Sequence, residues 1–122
     1  MSDREYLNEH IKKAYAALPE FPWVKYPGFA VYRHSENNKW FAVIMDIPKS
    51  KLGFQSEETV SVVNLKCDPV LMGSLYSEYG IFPAYHMNKS HWISVLLDGG
   101  VEKEKLEWLT DISFNLTKSK RR

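Results

Sequence analysis

Polar and apolar positions follow two rhythms along this chain, and the switches between them divide it into elements. Ser2 followed by Glu5 has the form of a capping box, after which Leu7, Ile11, Ala14, Tyr15 and Leu18 recur at helical spacing until Pro19. An amphipathic opening helix is the expectation. Phe21 to Gly28 holds Pro22 and Pro27, which predicts an extended connector whose Trp23 and Tyr26 pack against that helix. Phe29 to Arg33 and Lys39 to Asp46 are aromatic and β-branched runs, parted by the turn-forming residues His34, Ser35, Glu36, Asn37 and Asn38, and predict a β-hairpin. Strict alternation in the second run sets Trp40, Ala42 and Ile44 on one face and Phe41, Val43 and Met45 on the other. Both faces are largely apolar, so this strand is expected to be central, with most of its rings in core.

Asp46 to Glu58 shows no periodicity and holds Pro48, Lys49, Lys51 and Gly53, which predicts a long exposed loop or an irregular hairpin arm. Thr59 to Lys66 reads as a third strand. Asp68 and Pro69 then supply an N-cap and first-turn signal for a helix running to Tyr79, with Leu71, Leu75 and Tyr79 as its buried stripe and Gly80 as its stop. Pro83 to Met87 and His91 to Leu97 predict a second hairpin around Asn88, Lys89 and Ser90. Gly99 and Gly100 lead into a closing helix in which Leu106, Leu109, Ile112 and Leu116 share a face. The two hairpins echo each other: each has an Asn-Lys turn, a Trp entering the strand, an apolar run and an Asp at the exit.

Composition fits one domain that needs no covalent staple: 122 residues, 44% hydrophobic and 14% aromatic positions, and a single cysteine. The apolar content excludes intrinsic disorder for most of the length. Net charge is +1, but residues 118–122 hold four of the 16 cations, leaving residues 1–117 with 12 basic against 15 acidic side chains. The expected organisation is therefore a domain over 1–117 and a flexible basic tail over 118–122. Phosphate binding, if present, must use a local face or that tail. Asp3, Arg4 and Glu5 are not the start of a signal peptide and no apolar run approaches a membrane span, so a cytoplasmic location is expected, in keeping with the lone Cys67.

Asn64, Leu65, Lys66, Cys67, Asp68 and Pro69, the later run Pro83, Ala84, Tyr85, His86, Met87, Asn88, Lys89, Ser90, His91, Trp92 and Ile93, and the earlier Gly28, Phe29, Ala30 and Val31 resemble the MmcQ/YjbR family of small bacterial proteins. The resemblance covers nearly the whole chain. It implies an α+β fold: an antiparallel sheet with flanking N-terminal, middle and C-terminal helices, in a CyaY-like double-wing architecture of the kind described for DNA-binding proteins. The Asp46 to Glu58 loop departs from it, being longer than the family's usual connection.

Candidate chemistry centres on Tyr79 to Leu97, which has no acidic residue and contains His86, Lys89 and His91. Such a hairpin can lie against phosphates, with Lys66 at the end of the neighbouring strand, Lys39 on the other turn, and Lys118, Lys120 and Arg121 in the tail adding charge. The competing reading makes Lys89 a solvated turn residue, His86 and Trp92 local packing, and the tail cations complements of a helix dipole. Tyr32, Trp40, Tyr85 and Trp92 interleave with these charges and can stack on unpaired bases. A rival function is a small-molecule or protein-binding module, with a cleft between sheet and helices lined by Trp23, Tyr26, Tyr85 and Trp92.

Catalysis finds no support in spacing. There is no Gly-x-Ser-x-Gly, no His-Glu-x-x-His and no phosphate-cradling glycine loop. Cys67 beside Lys66 at a helix start is opposed by Asp68 and reads as a buried structural thiol. The opening helix mixes Asp3, Glu5 and Glu9 with Arg4, Lys12 and Lys13, unlike an acidic iron ridge, and the histidines lack ligand spacing. The expectation is a non-catalytic DNA-binding protein without metal or cofactor.

Overall fold

A computed structural model describes residues 1–119. The chain runs α1 (Asp3–Tyr15), β1 (Ala30–Arg33), β2 (Trp40–Pro48), a 3-10 turn (Lys49–Leu52), β3 (Thr59–Lys66), α2 (Pro69–Leu75), β4 (Ile81–Pro83), β5 (Trp92–Leu96) and α3 (Lys103–Thr117). The strands form an antiparallel sheet in the order β1-β2-β3-β5-β4. The α+β class with N-terminal and C-terminal helices is as expected.

The α1 N-terminus carries the capping box read from the sequence, with the Ser2 hydroxyl accepting from the Glu5 N–H at 3.1 Å and Glu5 Oε1 accepting from the Ser2 N–H at 2.8 Å. The helix stops at Tyr15, earlier than the apolar pattern implied. Ala16 takes a left-handed conformation there, and Leu18 is left exposed. Leu7 and Ile11 of α1, and Leu106 and Leu109 of α3, cover one sheet face, where they meet Ala42, Ile44, Val63, Leu65, Ile93 and Val95.

The buried stripe of α3 continues through Thr110, Ser113 and Thr117 rather than through Leu116, which is 45% exposed. Thr110 and Thr117 return their hydroxyls to helix carbonyls at 2.7 Å, so small polar side chains let the helix approach the sheet without orphaned donors. Ser113 instead bridges two strands. It accepts from the Lys66 N–H at 2.8 Å and donates to the Phe41 carbonyl at 2.5 Å.

That bridge sits beside a β-bulge. Tyr32 pairs with Ala42 and Arg33 with Trp40, so Phe41 is the extra residue on β2. The bulge overturns the alternation read from the sequence: Phe41 joins Ala42 and Ile44 on the helix face, packed edge-on to Tyr15 and Phe114, while Trp40 turns to the opposite face with Val43 and Met45.

Three other expectations are corrected. The loop after β2 is shorter, because that strand continues to Pro48 in register with Thr59. Helix α2 ends at Leu75, and Tyr79 is exposed with its hydroxyl on Asp98 rather than in a buried stripe. In the second hairpin the first strand is Ile81–Pro83 rather than Pro83 to Met87, since Asn64 and Ser94 capture the backbone of Tyr85 and lift it out of the ladder.

Candidate nucleic-acid interface and aromatic cleft

Antiparallel pairing brings the ends of β1, β3 and β4 and the starts of β2 and β5 to one end of the sheet, where Lys66 pairs with Trp92. The C-terminus of α3 reaches the same end, since His34 Nε2 lies 2.8 Å from the Thr117 hydroxyl and the Asn37 amide donates to the Thr117 carbonyl at 3.0 Å. Lys39, Lys66, Lys89, His91 and Lys118 are gathered there by the strands and turns that carry them. Arg33 is at this end too, but it is bound bidentately by Glu20, which lowers the Glu20 pKa through that hydrogen bond.

Other carboxylates at this end belong to Glu36, in the first turn, and Asp68, which caps α2 by accepting from the Val70 N–H at 3.0 Å. The far end carries Asp46, Glu57, Glu58 and Asp98 beside Lys49 and Lys51. The sheet is thus polarised, with Lys39, Lys66, Lys89 and Lys118 at one end and Lys49 and Lys51 at the other.

Lys89 differs from the other amines. Its ammonium donates to the Ala84 carbonyl at 2.7 Å, clasping the 84–91 turn and leaving its other donors for solvent. Lys66 lies in the same alternation as Val60, Val62 and Asn64, on the sheet face away from the helices. Lys120 and Arg121 lie outside the described residues.

On that face the 20–29 connector returns across β2 and encloses a cleft of about 370 Å³. One wall is a chain of rings: Trp40 meets Trp23 edge-on at 5.7 Å, Trp23 meets Phe29 at 6.1 Å, and Tyr26 stacks on Phe29 at 4.8 Å. Met45 and Ile47 of β2 form the floor, and Tyr85, His86 and Met87 the other wall. The expected cleft between sheet and helices is therefore not where the rings gather. Trp23, Tyr26 and Tyr85 come together on the opposite face, and Trp92 does not line the cleft, whereas Trp40 does.

Buried polar groups hold the second wall in place. Asn64 and Ser94, both fully buried, face each other across β3 and β5. The Asn64 amide donates to the Tyr85 carbonyl at 2.8 Å, and the Tyr85 N–H donates to the Ser94 hydroxyl at 3.0 Å. Both backbone groups of Tyr85 are thereby fixed at the edge of the cleft. His86 follows in the left-handed region at φ 60°, which turns the chain along the cleft.

Sequence reasoning missed Lys25, exposed between Trp23 and Tyr26, because 21–28 reads only as a connector. It also missed Phe29, Met45 and Met87 as cleft residues. Only folding the connector over β2 reveals them.

No helix among the described residues is long and apolar enough to cross a membrane, and no group of three or more His, Cys, Asp or Glu is placed to hold a metal ion. Cys67 is buried. Burial pushes its thiol up, the Asp68 charge adds to that, and thiolate chemistry at neutral pH is disfavoured.

Comparison with known proteins agrees with this fold. YyaQ of Bacillus subtilis (strain 168), an uncharacterised protein, is 39% identical over 118 residues, covering 97% of this chain and all of that one. YjbR of Escherichia coli (strain K12), also uncharacterised, is 30% identical over 82 residues, 66% of this chain and 70% of that one. A crystal structure of a Pseudomonas syringae protein superposes with a TM-score of 0.90 at 46% identity, covering 94% of this chain and 98% of that one. The YjbR family model matches residues 12–116, and the chain belongs to the YjbR family.

Proposed function

We propose that this protein binds DNA without catalysis, through the end of the sheet where Lys39, Lys66, Lys89, His91 and Lys118 converge. The observation that supports this is the polarity of the sheet: amines cluster at one end, while Asp46, Glu57, Glu58 and Asp98 lie toward the other. A molecule with a nearly neutral total charge can still approach a polyanion by such an end. The 34–39 and 84–91 turns act as the two wings of a double-wing, CyaY-like arrangement, and Lys118 adds to the same end. Such a partner places its work in the cytoplasm.

Phosphate contacts dominate affinity on this reading, so binding falls steeply with salt, with a slope of about −0.9 per phosphate neutralised. Anisotropy titration of labelled duplex and single-stranded oligonucleotides across a salt series is the test. The Lys39→Ala, Lys66→Ala double variant is expected to flatten the slope by about 2, roughly one per amine. Absence of binding to either form at low salt refutes the reading.

A further inference from the structure

We infer that the aromatic cleft receives an unpaired nucleobase, so that single-stranded nucleic acid is preferred over duplex; this rests on the DNA-binding reading above and specifies its partner. Four features carry the inference.

The first is accessible ring surface. Trp40 is 37% and Tyr26 53% exposed although both line the cleft, so part of each ring is open to a flat ligand, even with one face of Tyr26 stacked on Phe29. Rings stack on any base, because every base has a π-face.

The second is a set of unused polar handles. Tyr6, Tyr15, Tyr32 and Tyr79 each donate a hydroxyl to a protein acceptor. Among the described residues, the phenols of Tyr26 and Tyr85 and the indole N–H groups of Trp23 and Trp40 have no such acceptor. Trp23 and Tyr85 are half-buried, and among such residues no side-chain polar atom is both sealed from solvent and without a partner, so their handles reach solvent, where a base edge can use them. A purely apolar ligand would leave them unsatisfied.

Charge placement is the third. Lys39 precedes Trp40, Lys25 stands between Trp23 and Tyr26, and Lys66 ends β3 on the sheet face that carries the cleft. None of the three lines the cleft itself; they adjoin its residues in the chain or share its sheet face, so a strand whose base enters the cleft would carry its phosphates past them. Asp46, which also lines the cleft, is neutralised by Arg4 at 3.3 Å and bound by the Ser61 hydroxyl at 2.6 Å.

The fourth is access. A base held in a duplex stack must be unpaired and extruded before it can enter, whereas a single strand presents it already free. The cleft therefore discriminates by pairing state and needs no base-specific contact.

Anisotropy with a labelled oligothymidylate and with a labelled duplex of the same length tests this, using the full chain, Trp40→Ala and Tyr26→Ala. Melting by circular dichroism confirms that each variant is folded, and the half-exposed Tyr26 provides a second probe should Trp40→Ala unfold. The expected result is single-strand binding at least about tenfold tighter than duplex, weakened about tenfold in each folded variant, as loss of one stacking ring implies. Equal affinity for the two forms, or unchanged single-strand affinity in both variants, overturns the cleft assignment while leaving DNA binding standing. Failure of every oligonucleotide to bind at low salt removes the DNA-binding reading itself and this inference with it.

Discussion

Ser94 donates its hydroxyl to Asn64 Oδ1 at 2.5 Å, across a β3–β5 pair in direct register. Neither residue touches solvent, yet together they decide where Tyr85 sits. Asn64→Ala leaves the Tyr85 carbonyl without its amide donor and the Ser94 hydroxyl without its acceptor. The expected destabilisation is about 1–3 kcal/mol for each group left without a partner. Urea unfolding measures it. The same variant is expected to weaken oligonucleotide binding without contacting the ligand, because the 84–87 wall is no longer held.

Neighbouring residues on β2 are expected to respond very differently to truncation. Phe41 is fully buried among Tyr15, His34 and Phe114, so Phe41→Ala is expected to cost about 3–5 kcal/mol. Trp40→Ala removes a ring that is 37% exposed and is expected to cost much less. Comparable losses of stability in the two variants would contradict the bulge.

Glycine substitutions provide a test of packing. Gly73 lies inside α2 with open space where a Cβ would go, so Gly73→Ala is expected to stabilise by about 0.5–1 kcal/mol. A Cβ on Gly28 collides with the Asp46 carboxylate, which Arg4 and Ser61 hold in place. Gly28→Ala is therefore expected to lower the melting temperature and to disturb the connector over the cleft.

Acid is expected to loosen the molecule through His34. Burial holds this imidazole below its ordinary value of 6.5, against the opposing influence of the Phe114 backbone and Glu36, while Lys118 and Lys39 reinforce the lowering. Protonation is easier in the unfolded chain, so the stability associated with neutral His34 is complete above about pH 6.5 and declines as pH falls toward the lower folded value. Denaturant midpoints from pH 8 to pH 5 are expected to fall less in His34→Phe than in the parent protein. Identical slopes would show that another group sets the pH response.

Cys67 is expected to resist thiol reagents in the folded protein. Its thiol is buried and pushed up by burial and by Asp68, so labelling by a disulfide reagent at neutral pH should proceed at the rate of unfolding and accelerate sharply in urea. Rapid labelling without denaturant would contradict that environment.

Local signals were legible in the sequence: the capping box at Ser2, the Asp68-Pro69 helix start, the strand Thr59–Lys66 and the hairpin joining β1 to β2. Two of the errors share a cause, which is a partner far away in the chain. Tyr85 leaves the ladder because of Asn64 and Ser94, and Tyr79 lies outside α2 with its hydroxyl on Asp98. The connector, with no periodicity to read, is fixed by the pairing of Glu20 with Val31 and by its rings over β2. The candidate lysines could be named from their turns. Their gathering at one end required the register of the whole sheet.

The extra residue on β2 decides which of two adjacent rings faces outward. With no bulge, Trp40 would join Ala42 and Ile44 against the helices, and a change at position 40 would propagate into the packing of its neighbours. Because Phe41 is swung to the helices, the outward ring can be exchanged while the interior keeps its shape. That single slip in spacing lets the side chain at position 40 vary with the architecture held constant.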